Sequence, residues 1–80
     1  MDRIAEPIVE AYATVLRMRR REAGLSQEQL AHRAGLSMRF ISLLEGCRHR
    51  PTLATMHKIA EALDLPLSEM IRQAEALPRR

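Results

Sequence analysis

Residues 38–43, Met38-Arg39-Phe40-Ile41-Ser42-Leu43, and the tripeptide Arg48-His49-Arg50 carry the side chains of this 80-residue chain best suited to chemistry. A guanidinium such as that of Arg39 binds anions through forked hydrogen bonds, and the same fork matches the O6 and N7 edge of guanine. Met38 and Leu43 offer apolar contact, and Ser42 a hydroxyl. The second cluster is compact positive charge of the kind that meets phosphate oxygens. Catalysis has little to work with. His32, His49 and His57 have no motif around them, and Cys47 with His49 supplies fewer ligands than a zinc site requires. A glycine-rich phosphate loop and a nucleophile elbow are both absent. Cys47 beside Arg48 invites a lowered thiol pKa and a redox role, but no second residue supports one. The expectation is a protein that is not an enzyme, with no cofactor and no metal.

Charge is concentrated around the same residues. The formal net charge is +3, yet Arg17, Arg19, Arg20, Arg21, Arg33, Arg39, Arg48 and Arg50 face only Glu22, Glu28 and Glu45 within residues 17–50. Residues 1–16 are acidic in balance, with Arg3 against Asp2, Glu6 and Glu10, while residues 51–80 are neutral. A basic excess confined to one stretch marks where a polyanion docks.

The elements that position these groups follow from periodicity. From Gln27 to Leu44, apolar residues recur at Leu30, Ala34, Leu36, Ile41 and Leu44, with small Ala31 among them. The helical pattern breaks once, at Gly35-Leu36-Ser37, and resumes on a new axis. That is a helix-turn-helix, whose second helix shows solvent Met38, Arg39, Ser42 and Leu43, with Phe40 at the margin. Ser26 and Gln29 form a capping box, and Ser37 caps the second helix. A first helix runs from Pro7 to Ala23 with Ile8, Tyr12, Leu16 and Ala23 on one face. A fourth helix opens at Pro51-Thr52, and a fifth spans Leu67 to Ala76 before Pro78. Between Glu45 and Pro51, either Gly46 or Cys47 takes the left-handed turn.

The chain reads as one domain, 1–80, with 1–6 and 77–80 as flexible ends. A domain this short buries only about 60% of its unfolded surface, so association with a second copy adds useful stability. One cysteine, no apolar run near the ~20 residues of a membrane span and an acidic start, MDRIAEPIVEAY, place the protein in the cytoplasm without membrane contact.

AGLSQEQLAHRAGLS, then ISLLE, then RPTLATMHKIAEALDLPLSEMI resembles the XRE-type family of Cro and lambda-repressor-like DNA-binding domains, from about Leu16 to Ile71. The resemblance implies an all-α, five-helix fold and a role in binding double-stranded DNA. It pairs Arg20 with Glu45 as a structural ion pair. It assigns phosphate contacts to Ser26, Gln27 and Ser37 at the helix starts, and to Arg48, His49 and Arg50 in the loop after the recognition helix. Base contacts fall to Met38, Arg39, Phe40, Ser42 and Leu43, Arg39 foremost. The sequence departs from its relatives at Arg19, at Cys47 where they usually carry glycine, and at Met38 and Leu43 where several carry polar residues. The function expected is a homodimeric repressor or autoregulator of a palindromic operator, its dimer built on Leu67, Met70, Ile71 and Ala74. No separate sensor domain fits in 80 residues, so control rests on concentration or on a protein partner. The alternative is an antitoxin-type or restriction–modification controller protein acting partly through such a partner.

Overall fold

The computed structural model describes residues 2–78. They form five α-helices: α1 Pro7–Glu22, α2 Gln27–Ala34, α3 Met38–Glu45, α4 Leu53–Ala62 and α5 Leu67–Ala76. Among the described residues there is no strand, so the all-α, five-helix organisation expected from the sequence is the one adopted. The expected frayed end at Arg79-Arg80 lies outside the described residues.

Helix α1 opens on Pro7, whose fixed φ suits the first turn, and closes with Arg19, Arg20 and Arg21 against the negative end of the dipole. Its inner face is Ala11, Tyr12, Val15 and Leu16. Ile8 and Ala23, expected on that face, are exposed instead. The helix is continuous through Arg19, because the i, i+4 line Tyr12–Leu16 runs on to Arg20, and that charged residue fills the next inward position.

Helices α2 and α3 pack closely on each other, with Ala31 small and buried at their crossing. Both halves of the α2 capping box are made: Ser26 Oγ accepts from the Gln29 amide at 3.0 Å, and Gln29 Oε1 from the Ser26 amide at 2.8 Å. Gly35 ends α2 at φ 71°, in the left-handed region, where a side chain would be strained. Ser37 Oγ then caps α3 by accepting from the Phe40 amide at 3.0 Å.

The exit from α3 resolves the choice between Gly46 and Cys47. Gly46 stays at φ −81° and Cys47 takes φ 58°. The Cys47 amide donates to Leu44 O at 3.1 Å and the Arg48 amide to Leu43 O at 2.9 Å, the pattern that ends a helix on a left-handed residue. A side chain in that conformation costs about 1–2 kcal/mol. Burial of the Cys47 side chain offsets part of this cost.

Leu16, Leu30, Ile41, Leu44, Ile59 and Met70 are fully buried, so every helix sends at least one large side chain into a single core. Helix α5 lies mainly on α1 and closes that core with Met70 and Ala74, both 0% exposed. This corrects their assignment to a dimer surface: the i, i+4 pair is used inside the monomer. Leu67 and Ile71 remain half-buried at the edge of α5. Residues 4–6, expected as part of a loose end, are bonded to the loop after α3: the Ile4 amide donates to Cys47 O at 2.7 Å and Arg50 forks onto Glu6. No helix among the described residues is long and apolar enough to cross a membrane.

Candidate nucleic-acid interface

The interface is built outward from one buried ion pair. Arg20 donates from Nε to Glu45 Oε2 at 2.6 Å, from Nη2 to Glu45 Oε1 at 2.9 Å, and from Nη1 to Leu25 O at 2.8 Å. Glu45 Oε1 also accepts from Gln27 Nε2 at 3.1 Å. One guanidinium thus ties the C-terminal part of α1 to the last residue of α3, to the α1–α2 turn and, through Glu45, to the first residue of α2. Arg20 is 9% exposed and Glu45 6%. The hydrogen bonds to Glu45 hold the Arg20 pKa above its ordinary value, against the opposite pull of burial. With every polar end of the pair engaged, the angle between α2 and α3 is fixed.

That clamp sets the outer face of α3. Met38 is half exposed, and Arg39 and Ser42 are exposed beside it. Leu43 and Phe40 are half-buried at the margins, so neither projects as freely as the sequence suggested. Phe40 packs against the core on one side and meets the His49 ring edge-on at 5.0 Å on the other. His49 is thereby brought beside the recognition helix from the following loop.

Around this face the expected phosphate-binding groups are distributed unevenly. The hydroxyls of Ser26 and Ser37 are used as caps. The Gln27 side chain has its amide nitrogen on Glu45, which leaves the amides of Gln27 and Glu28 to open α2 toward an anion. Glu28, in the same turn, repels one. Arg48 and His49 are exposed in the α3–α4 loop. Arg50 is in a bidentate pair with Glu6, which lowers the Glu6 pKa and raises that of Arg50. Arg39 on α3, and Arg48 and His49 in the loop that leaves it, are exposed to solvent.

Cys47 sits beneath the loop and is inaccessible. Its thiol donates to Ile4 O at 3.3 Å, and burial raises its pKa, opposite to the lowering expected from Arg48 next to it in sequence. Desolvation outweighs a cation that the sequence merely places nearby. Among the described residues no group of three His, Cys, Asp or Glu side chains could hold a metal ion.

Glu6 and Ile4 were missed as parts of this site. Only one signal pointed to them, the acidic balance of residues 1–16 opposite the basic stretch. It names no partner across 44 positions of sequence.

The chain is similar in sequence and fold to known proteins. A family described as helix-turn-helix domain matches residues 11–72. An uncharacterised HTH-type transcriptional regulator from Sinorhizobium fredii is 37% identical over 59 residues, covering 74% of this chain and 77% of that protein. Another, from Methanothermobacter thermautotrophicus, is 46% identical over 50 residues, covering 62% of this chain and 72% of the relative. Among solved structures, the restriction-modification controller protein C.AhdI from Aeromonas hydrophila superposes with a TM-score of 0.76 at 32% identity, over 78% of this chain and 94% of its own. Helix order, turn and match together place this chain in the helix-turn-helix domain family, with the lambda-repressor-like fold of the HTH-type transcriptional regulators.

Proposed function

We propose that the protein is a sequence-specific DNA-binding regulator of transcription that acts in the cytoplasm as a homodimeric repressor on a palindromic operator. The observation that carries this reading is the outer face of α3, where Arg39 stands exposed on a helix clamped in place by Arg20 and Glu45. Arg39 reads a guanine edge, with Met38 and Ser42 beside it and Leu43 and Phe40 at the rim. Arg48 and His49 grip phosphates, joined by the amides that open α2. One such helix covers too few base pairs for genomic specificity, since each mismatch costs about 1–3 kcal/mol. Two helices on a twofold axis address major grooves about 34 Å apart, which accounts for a palindromic site. Leu67 and Ile71 on α5 supply the apolar edge for the second copy.

The likeness to C.AhdI supports a narrower form of the same reading, a controller protein in a restriction–modification system. Both forms use the same contacts with DNA. Selection of bound duplexes from a random pool tests the proposal. The expected product is a palindrome with half-sites one helical turn apart. Recovery of no preferred sequence contradicts it.

A further inference from the structure

Residues 4–6 run alongside the loop that leaves the recognition helix. The Ile4 amide donates to Cys47 O at 2.7 Å, and the Cys47 thiol donates back to Ile4 O at 3.3 Å. Cys47 is buried there in the left-handed conformation, so segment and loop are pinned together at one point. A few residues further along both segments, two side chains meet. Arg50 donates from Nε to Glu6 Oε1 at 3.0 Å and from Nη2 to Glu6 Oε2 at 2.7 Å. This is the two-bond fork with which guanidinium binds a phosphate, here filled by a carboxylate. The pair is open to solvent, with side chains 62% and 48% exposed, so another anion can reach it. Arg39, by contrast, makes no ion pair among the described residues.

We propose that Glu6 is an intramolecular competitor for the DNA backbone, an autoinhibitory contact whose carboxylate occupies the Arg50 guanidinium where a phosphate would bind. The inference rests on the DNA-binding reading above. Duplex DNA gains the Arg50 contact only by displacing Glu6, so the protein binds more weakly than its basic face alone implies. An exposed ion pair is worth little, which limits the effect to roughly two- to fivefold per protomer. That is enough to matter when two protomers bind together, and it leaves the protein free to exchange between sites.

The test is a binding titration on a duplex of random sequence, at several salt concentrations, with wild type, Glu6→Gln, Arg50→Ala and the double variant. Thermal melting establishes that each is folded. Glu6→Gln is expected to tighten binding roughly two- to fivefold per protomer and to steepen the salt dependence, by at most about one per protomer. In the Arg50→Ala background the same change is expected to give none of that gain. An equal gain in both backgrounds overturns the proposal, because Glu6 would then act only as a distant negative charge. Weaker binding by Glu6→Gln also overturns it, because the pair would then be orienting Arg50 for DNA. Wild type that binds duplex while the two changes show no coupling defeats this inference alone. Wild type and Glu6→Gln that both fail to bind at low salt defeat the DNA-binding reading and this inference together.

Discussion

Removing the Arg20 guanidinium strands the Glu45 carboxylate in a nearly dry pocket, since Glu45 is 6% exposed and Gln27 is its other hydrogen-bond partner. Breaking one side of a buried pair costs on the order of 3–5 kcal/mol, whereas an apolar replacement of both sides is often tolerated. Arg20→Met should therefore destabilise far more than Arg17→Met, and adding Glu45→Leu should recover part of the loss. Urea unfolding of the three variants measures this; equal small effects from both arginine changes would show that the clamp carries little. Cys47 gives a second residue-level outcome. With its side chain buried, its pKa raised and its thiol donating a hydrogen bond to Ile4 O, it should alkylate with iodoacetamide far more slowly in the folded protein than in urea. Comparable rates would mean that the segment over it is open.

At the scale of elements, the sequence made some features legible and others not. The α2 start, the Gly35 turn and the Ser37 cap were legible because each rests on local chemistry within a few residues. The partner of an apolar face was not. Leu67, Met70, Ile71 and Ala74 recur at helical spacing, but spacing alone does not say whether α1 or a second copy covers them. Met70 and Ala74 are buried in the core that α5 closes, mainly against α1, which leaves different roles for neighbouring residues. Met70→Ala should cost roughly 2–5 kcal/mol of stability, as expected for a fully buried side chain. Ile71→Asp should leave a folded protein that sediments as a monomer. A wild type that is monomeric both free and on DNA would remove α5 as a dimer surface. On the same helix, hydrogen bonds from Arg72 and Gln73 lower the Glu69 pKa to about 2. Because the folded-state value is depressed, the stabilisation is present above the ordinary carboxylate range and fades as pH falls toward 2. Arg72→Ala should raise the Glu69 value toward that range in a carboxyl NMR titration.

Over the whole molecule, charge is arranged in two ways that only the fold brings together. The basic stretch 17–50 was legible as composition and contains the recognition helix, but the fold buries Arg20 against Glu45 and pairs Arg19 with Glu22 and Arg50 with Glu6. Its pairing with the acidic start of the chain was not legible, because Glu6 and Arg50 meet through tertiary structure alone. The fold also separates two kinds of arginine. Arg39 is exposed on the recognition helix with no ion pair among the described residues, while Arg48 lies exposed in the loop beyond it. Reading and gripping leave different traces in binding. Titrations of Arg39→Ala and Arg48→Ala on the selected operator and on a scrambled duplex, at several salt concentrations, separate them most directly. Arg39→Ala should lose roughly 1–3 kcal/mol on the operator, relax preference at one base pair per half-site and barely affect the scrambled duplex. Arg48→Ala should weaken both duplexes alike and lower the salt slope by about one per protomer. If Arg39→Ala instead weakens both duplexes equally and flattens the slope, Arg39 is a phosphate contact and the account of sequence reading on α3 is contradicted.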